Sequence, residues 1–110
     1  MFCAFSGDAL ILRVYGNAVA FHPRDKEWKE LVAKFPEYPG ARNIFKLHVD
    51  LVTTSCGTGV PEMTVVRSRA EAQLLPWYAD LGTDGVKNFW RKKNVESLDG
   101  RPTGIFKPAP

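Results

Sequence analysis

The chain has 110 residues, 45% hydrophobic, 25% charged and 12% aromatic, which is the make-up of one small globular domain and excludes a disordered or fibrous polymer. Its formal charge of +3 is mild and its Lys and Arg residues are scattered, with one cluster at Arg91-Lys92-Lys93, so there is no basic stripe and nucleic acid is not an expected partner. No apolar run approaches the roughly 20 residues of a membrane span, no charged leader opens the chain, and two cysteines make no secreted framework, so a cytoplasmic protein without a membrane partner is expected.

Residues 1–5, beginning Met1-Phe2-Cys3, read as a strand, and Ser6-Gly7-Asp8 reads as the turn of a hairpin. The return strand, Ala9 to His22, changes phase. Leu10, Leu12 and Val14 are apolar at even positions, whereas after Gly16-Asn17 the apolar positions are the odd Val19 and Phe21. A one-residue slip at a glycine predicts a β-bulge, with Arg13 and Tyr15 on the face opposite the first apolar set. Pro23 ends the strand, and Asp25 is placed to cap a helix bearing Trp28, Leu31, Val32 and Phe35 at helical spacing.

A third strand alternates Phe45, Leu47, Val49 and Leu51 with Lys46, His48 and Asp50, which predicts one buried and one polar face. Residues 63–67 predict a short fourth strand. Ser68 and Glu71 have the spacing of a capping box, opening a helix that carries Leu74, Trp77, Tyr78 and Leu81. Pro76 inside it predicts a kink costing about 3 kcal/mol unless packing compensates. Gly82 ends that helix, and a last one from Asp84 carries Val86, Phe89 and Trp90. Residues 101–110, rich in Pro and Gly, read as an irregular tail of a single domain spanning 1–110. The expected fold is mainly β with helices, α+β, with about four strands and three helices. Four strands do not close a barrel, which takes at least about five or six.

The stretch from Val49 to Met63 interrupts its strand with Thr54, Ser55, Cys56, Gly57, Thr58 and Gly59, a run that core packing does not call for. A phosphate loop would lead into a helix, but Val60-Pro61 and a strand follow. A nucleophilic Cys56 would need a base, and His48 lies eight residues earlier while a structural cysteine is the commoner case. Two readings stay open: hydroxyls and free backbone N–H groups that hydrogen-bond a polar ligand at a strand end, or a plain wide turn. Cys3, His22, His48 and Cys56 lack the short spacings of a metal site, and no metal is expected. Asp50, Glu62 and Asp99 are isolated, so no catalytic acid or base is assigned. The tryptophans Trp28, Trp77 and Trp90 fall on helical apolar stripes and read as core.

Several segments recur in one order: residues 1–5, residues 11–16, Glu27-Trp28, Phe35-Pro36, residues 39–42, Thr54 to Gly57, Gly59 to Pro61, Lys93-Asn94 and Ser97 to Gly100. Together they resemble the C-terminal portion of FMN-binding proteins related to pyridoxamine 5′-phosphate oxidase. The resemblance implies a split β-barrel, incomplete here and N-terminally truncated, with FMN as cofactor at the interface of a homodimer. It implies that Arg13 and the loop Thr54, Ser55, Cys56, Gly57, Thr58 and Gly59 lie near the flavin, whose phosphate is held mainly by residues upstream of Met1. Ile11 stands where the oxidase has a glutamine near the flavin, and residues 99–110 show no match to the oxidase's substrate segment. The resemblance therefore implies an oxidoreductase-like protein of unassigned substrate. The alternative is a non-catalytic flavin-binding or dimerisation domain that keeps the fold.

Overall fold

The computed structural model describes residues 1–106. The fold is α+β, with a three-stranded sheet and two helices among the described residues. Strand β1 (Phe2–Cys3) pairs antiparallel with β2 (Leu10–Phe21), Phe2 opposite Leu12 and Cys3 opposite Ile11, and β3 (Ile44–Cys56) lies on the other side of β2. The hairpin turn expected at Ser6 to Asp8 is present, with Gly7 at φ 73°, a left-handed conformation that glycine adopts without strain. The structure divides into two compact units, Met1–Val19 with Phe45–Ser68, and Ala20–Ile44 with Arg69–Pro110.

In the first unit the glycine at the phase change marks a close approach of backbones. A Cβ on Gly16 would run into the carbonyl of His48 on β3, so only glycine lets β2 pass there. The expected fourth strand does not form. Residues 61–68 are without regular structure and exposed throughout, tied back by one bond from the Met63 amide to the Phe5 carbonyl at 2.9 Å. Val65 and Val66 have strand-forming side chains, but strand propensity acts through packing against neighbours, and here those side chains are 87% and 92% exposed. The alternation of β3 is real, yet the face expected to be buried is bare: Phe45, Leu47, Val49 and Leu51 are all exposed. Gly57 is the single buried residue of this unit, which has no buried hydrophobic side chain.

The second unit holds the core: Val86 and Trp90 on one helical face, with Ile105 against them and Tyr78, Leu81 and Phe89 alongside. Helix α1 (Trp28–Val32) is short, and Asp25 does not cap it. The Asp25 carboxylate instead accepts the His22 backbone N–H at 2.6 Å, closing the turn before the helix. Residues 70–74 form a π-helical turn running straight into α2 (Leu75–Lys93). Arg69, just before the π-helical turn, makes no side-chain capping bond.

Pro76 follows just after this π-helical turn, where the Leu75 amide bonds the Ala70 carbonyl, and the wider turn accommodates the ring. The kink lies instead at Gly82, whose φ of 62° and ψ of 177° are not helical. The helix expected to end at Gly82 and the one expected from Asp84 are therefore both present, joined end to end across this kink within α2. The missing fourth strand, and the joining of two expected helices in α2, account for the shortfall against about four strands and three helices. The basic cluster sits in the last turn of α2, as expected, where cations oppose the helix dipole. The described part of the tail folds back: Pro102 bridges to Glu96, and Arg24 Nη1 donates to the Ile105 carbonyl at 2.5 Å. Residues 107–110 of the expected irregular tail lie outside the described residues. No helix among the described residues is long and apolar enough to cross a membrane.

Candidate functional site

The strand pair β2–β3 brings Arg13 and Ser55 together across 42 residues of sequence, Arg13 Nη1 donating to Ser55 Oγ at 2.7 Å. Both side chains are half-buried. A guanidinium carries five N–H donors, so this one bond leaves several for a further acceptor. Among the described residues no carboxylate forms an ion pair with Arg13. A partly buried cation without a counter-ion attracts an anion or a carbonyl-rich group.

The stretch taken from the sequence as an interruption is largely strand. β3 continues through Thr54, Ser55 and Cys56, and the chain turns only at Gly57, with the Val60 amide bonded to the Gly57 carbonyl at 2.8 Å. The Gly57 amide reaches the Ala9 carbonyl at 3.4 Å, and a Cβ on Gly57 would lie 2.7 Å from the Leu10 nitrogen. Glycine is therefore needed where the turn presses on the start of β2. Thr53 and Ser55 are half-buried while Thr54 and Cys56 are exposed, the two-residue period of a strand. That period places Ser55 on the same face of β3 as Leu51, Val49 and Leu47.

Of the residues singled out from the sequence, Arg13 and Ser55 are brought together, while the Gly57 amide and carbonyl are taken up by Ala9 and Val60. Thr54 points to the opposite face, and Thr58 and Gly59 lie exposed in the turn. Cys56 Sγ contacts Thr58 Oγ1 at 3.3 Å. Hydrogen bonds from the Thr58 side chain and backbone hold the thiol below its ordinary pKa, against a small opposing effect of burial. Cys3 and Cys56 are both free thiols. Among the described residues no cluster of His, Cys, Asp and Glu could hold a metal ion.

A second gathering of polar groups was not legible in the sequence. His22, Arg42, Asn94, Glu96 and Ser97 line one cavity in the second unit. Asn94, Glu96 and Ser97 are close in sequence, but His22 and Arg42 lie 20 residues apart and Arg42 is 52 residues from Asn94, so no local spacing shows the set.

Compared with protein-family models, with curated proteins and with solved structures, the chain matches none.

Proposed function

We propose that the chain is part of an FMN-binding, oxidoreductase-like protein related to pyridoxamine 5′-phosphate oxidase, working as a homodimer with the flavin against the β2–β3 strand pair. The reading rests on the resemblance of its ordered segments. Its main structural support is the Arg13–Ser55 pair, a half-buried cation with spare donors and no counter-ion, at the end of a strand whose neighbouring side chains are apolar and bare. The fit to the cofactor is good on the ring side. The spare guanidinium N–H groups suit the carbonyl-rich edge of an isoalloxazine, and the exposed strip of Val49 and Leu51 offers an apolar surface for a flat ring. The phosphate would be held by residues beyond this site. When bound, FMN supplies hydride and electron transfer, and the part of Arg13 and Ser55 is to position the ring and balance its negative charge.

The exposed apolar strip of β3 also favours the second reading, a flavin-binding or dimerisation domain without turnover, since a bare strip suits an interface as well as a ring. The deciding experiment is titration of the full chain with FMN, followed by flavin fluorescence, and then addition of NADH or NADPH. Quenching of the flavin followed by its reduction supports the oxidoreductase. Quenching or dimer formation without reduction supports the second reading. Free FMN fluorescence at all protein concentrations overturns both flavin readings.

A further inference from the structure

The unit formed by Ala20–Ile44 and Arg69–Pro110 contains a cavity of about 250 Å³ lined by His22, Arg42, Asn94, Glu96 and Ser97 among others. It shares no residue with the Arg13–Ser55 site. His22 is 9% exposed, and its Nδ1 lies 3.2 Å from the carbonyl oxygen of Arg42. A carbonyl can only accept, so Nδ1 donates this bond and Nε2 is the ring nitrogen left for a ligand. Among the described residues no hydrogen bond or ion pair engages Nε2. The bond from the His22 backbone to Asp25 fixes the residue in place.

The two charged groups lining the cavity are also unspent. Arg42 makes one long bond, Nη1 to Asn94 Oδ1 at 3.3 Å, and no carboxylate pairs with it among the described residues. Glu96 pairs with no cation among them, although it lines the same cavity as Arg42. The frame around them is held by other bonds: Thr103 Oγ1 donates to the Asn94 carbonyl at 2.5 Å, the Asn94 amide donates to the Trp90 carbonyl at 2.8 Å, and Ser97 Oγ closes the turn to Arg101.

One cavity thus presents a cation, a carboxylate and an imidazole nitrogen. A ligand that was only an anion would face Glu96, and one that was only a cation would face Arg42. A ligand carrying both signs satisfies each. The volume lies below the roughly 300–1,000 Å³ of drug-sized sites, which limits the ligand to about ten heavy atoms. We propose that this cavity binds a small zwitterion, a free α-amino acid, its carboxylate on the Arg42 guanidinium and the Asn94 side chain, its ammonium on Glu96 and His22 Nε2. This inference goes beyond the flavin reading and does not depend on it.

The test is an NMR titration of the isotope-labelled full chain with glycine and with L-alanine, alongside acetate and methylammonium as half-ligands. Glycine or L-alanine should saturate below about 10 mM and shift the His22 and Asn94 signals, with each half-ligand at least about tenfold weaker. Arg42→Gln and Glu96→Gln should each weaken amino-acid binding by about tenfold or more. Acetate or methylammonium binding as tightly as glycine would overturn the proposal, as would failure of both amino acids to saturate. Unchanged affinity in both variants has the same consequence. The half-ligand comparison uses the unaltered chain, so it decides the matter even where a variant fails to fold.

Discussion

Arg13 on β2 donates to Ser55 on β3 at 2.7 Å, and that bond fixes which faces of the two strands lie together. The face of Ile11, Arg13 and Tyr15 is the face of Leu47, Val49, Leu51 and Ser55. From alternation alone, Leu10, Leu12 and Val14 were the apolar set of β2, with Arg13 on the far side. The apolar sets of neighbouring strands therefore face opposite ways, so neither face of the pair is wholly polar and β3's apolar strip ends at a polar pair.

If the flavin sits there, removing the cation removes a charge-assisted bond worth about 1.5–3 kcal/mol. Arg13→Ala should weaken FMN binding by about tenfold or more in a fluorescence titration. Ser55→Ala should weaken it less, because the guanidinium stays and loses one neutral acceptor. Equal affinities for Arg13→Ala and the unaltered chain would remove Arg13 from the site.

The bare strip carries a second expectation. Phe45, at 66% exposure, and Leu47, Val49 and Leu51 lie along a strand at the sheet's open edge. Burying one such side chain contributes about 1.5–3 kcal/mol, so covering the strip decides whether the sheet is stable. In a homodimer that uses this strip, Leu47→Lys together with Leu51→Lys should shift the species seen by sedimentation velocity from dimer to monomer. A double variant that stays dimeric would place the interface elsewhere.

What was legible in the sequence and what was not divide along physical lines. Local patterns came through: the hairpin turn at Gly7, the alternation of β3, the apolar stripe of Val86 and Trp90, and the basic last turn of α2. Non-local matters did not. Residues 63–67 read as a strand, but pairing needs a neighbour, and a single bond from Met63 to Phe5 makes no ladder. Pro76 was expected to kink its helix, yet the turn before it is π-helical and wide enough to take the ring. At the site, Ser55 was legible as an odd hydroxyl at a strand end and Arg13 was placed beside its loop by the resemblance, but the bond between them was not legible.

Cys56 should be the more reactive of the two thiols, because it is exposed and Thr58 holds its pKa down. A lower pKa means more thiolate at a given pH, so its alkylation by iodoacetamide should rise at lower pH than for an ordinary thiol. Thr58→Val removes the side-chain bond, the largest of the causes, and the midpoint of the alkylation profile should move to higher pH. Mass spectrometry of the modified peptides separates Cys56 from Cys3. An unmoved midpoint would show that the Thr58 side chain does not hold the thiol.

Gly16→Ala tests the close approach of β2 and β3. The atom in the way is the His48 carbonyl oxygen, which is backbone and part of the sheet, so no side-chain rotation relieves the contact. The two strands must separate locally, at an expected cost of about 1–3 kcal/mol in urea unfolding. Gly59→Ala, in the same unit with nothing near its Cβ position, is the control and should change stability by less than about 0.5 kcal/mol. Equal effects at the two glycines would contradict the close approach.

Trp90 presents opposite terms in one side chain. It is 9% exposed in the core with Val86 and Ile105, and its buried indole Nε1 has no hydrogen-bond partner among the described residues. The large apolar body stabilises the unit, while an unpaired buried donor costs about 1–3 kcal/mol. Trp90→Ala removes both and leaves a cavity, so the lost packing dominates and the expected destabilisation is about 3–5 kcal/mol. Trp90→Phe removes the unpaired N–H but keeps most of the ring contacts with Val86 and Ile105. The gain from losing the orphan donor offsets much of the lost area, and the variant should fall within about 1 kcal/mol of the original chain in urea unfolding. Were Trp90→Phe nearly as damaging as Trp90→Ala, the indole N–H would have to be bonded in solution, and the core around Ile105 would pack differently.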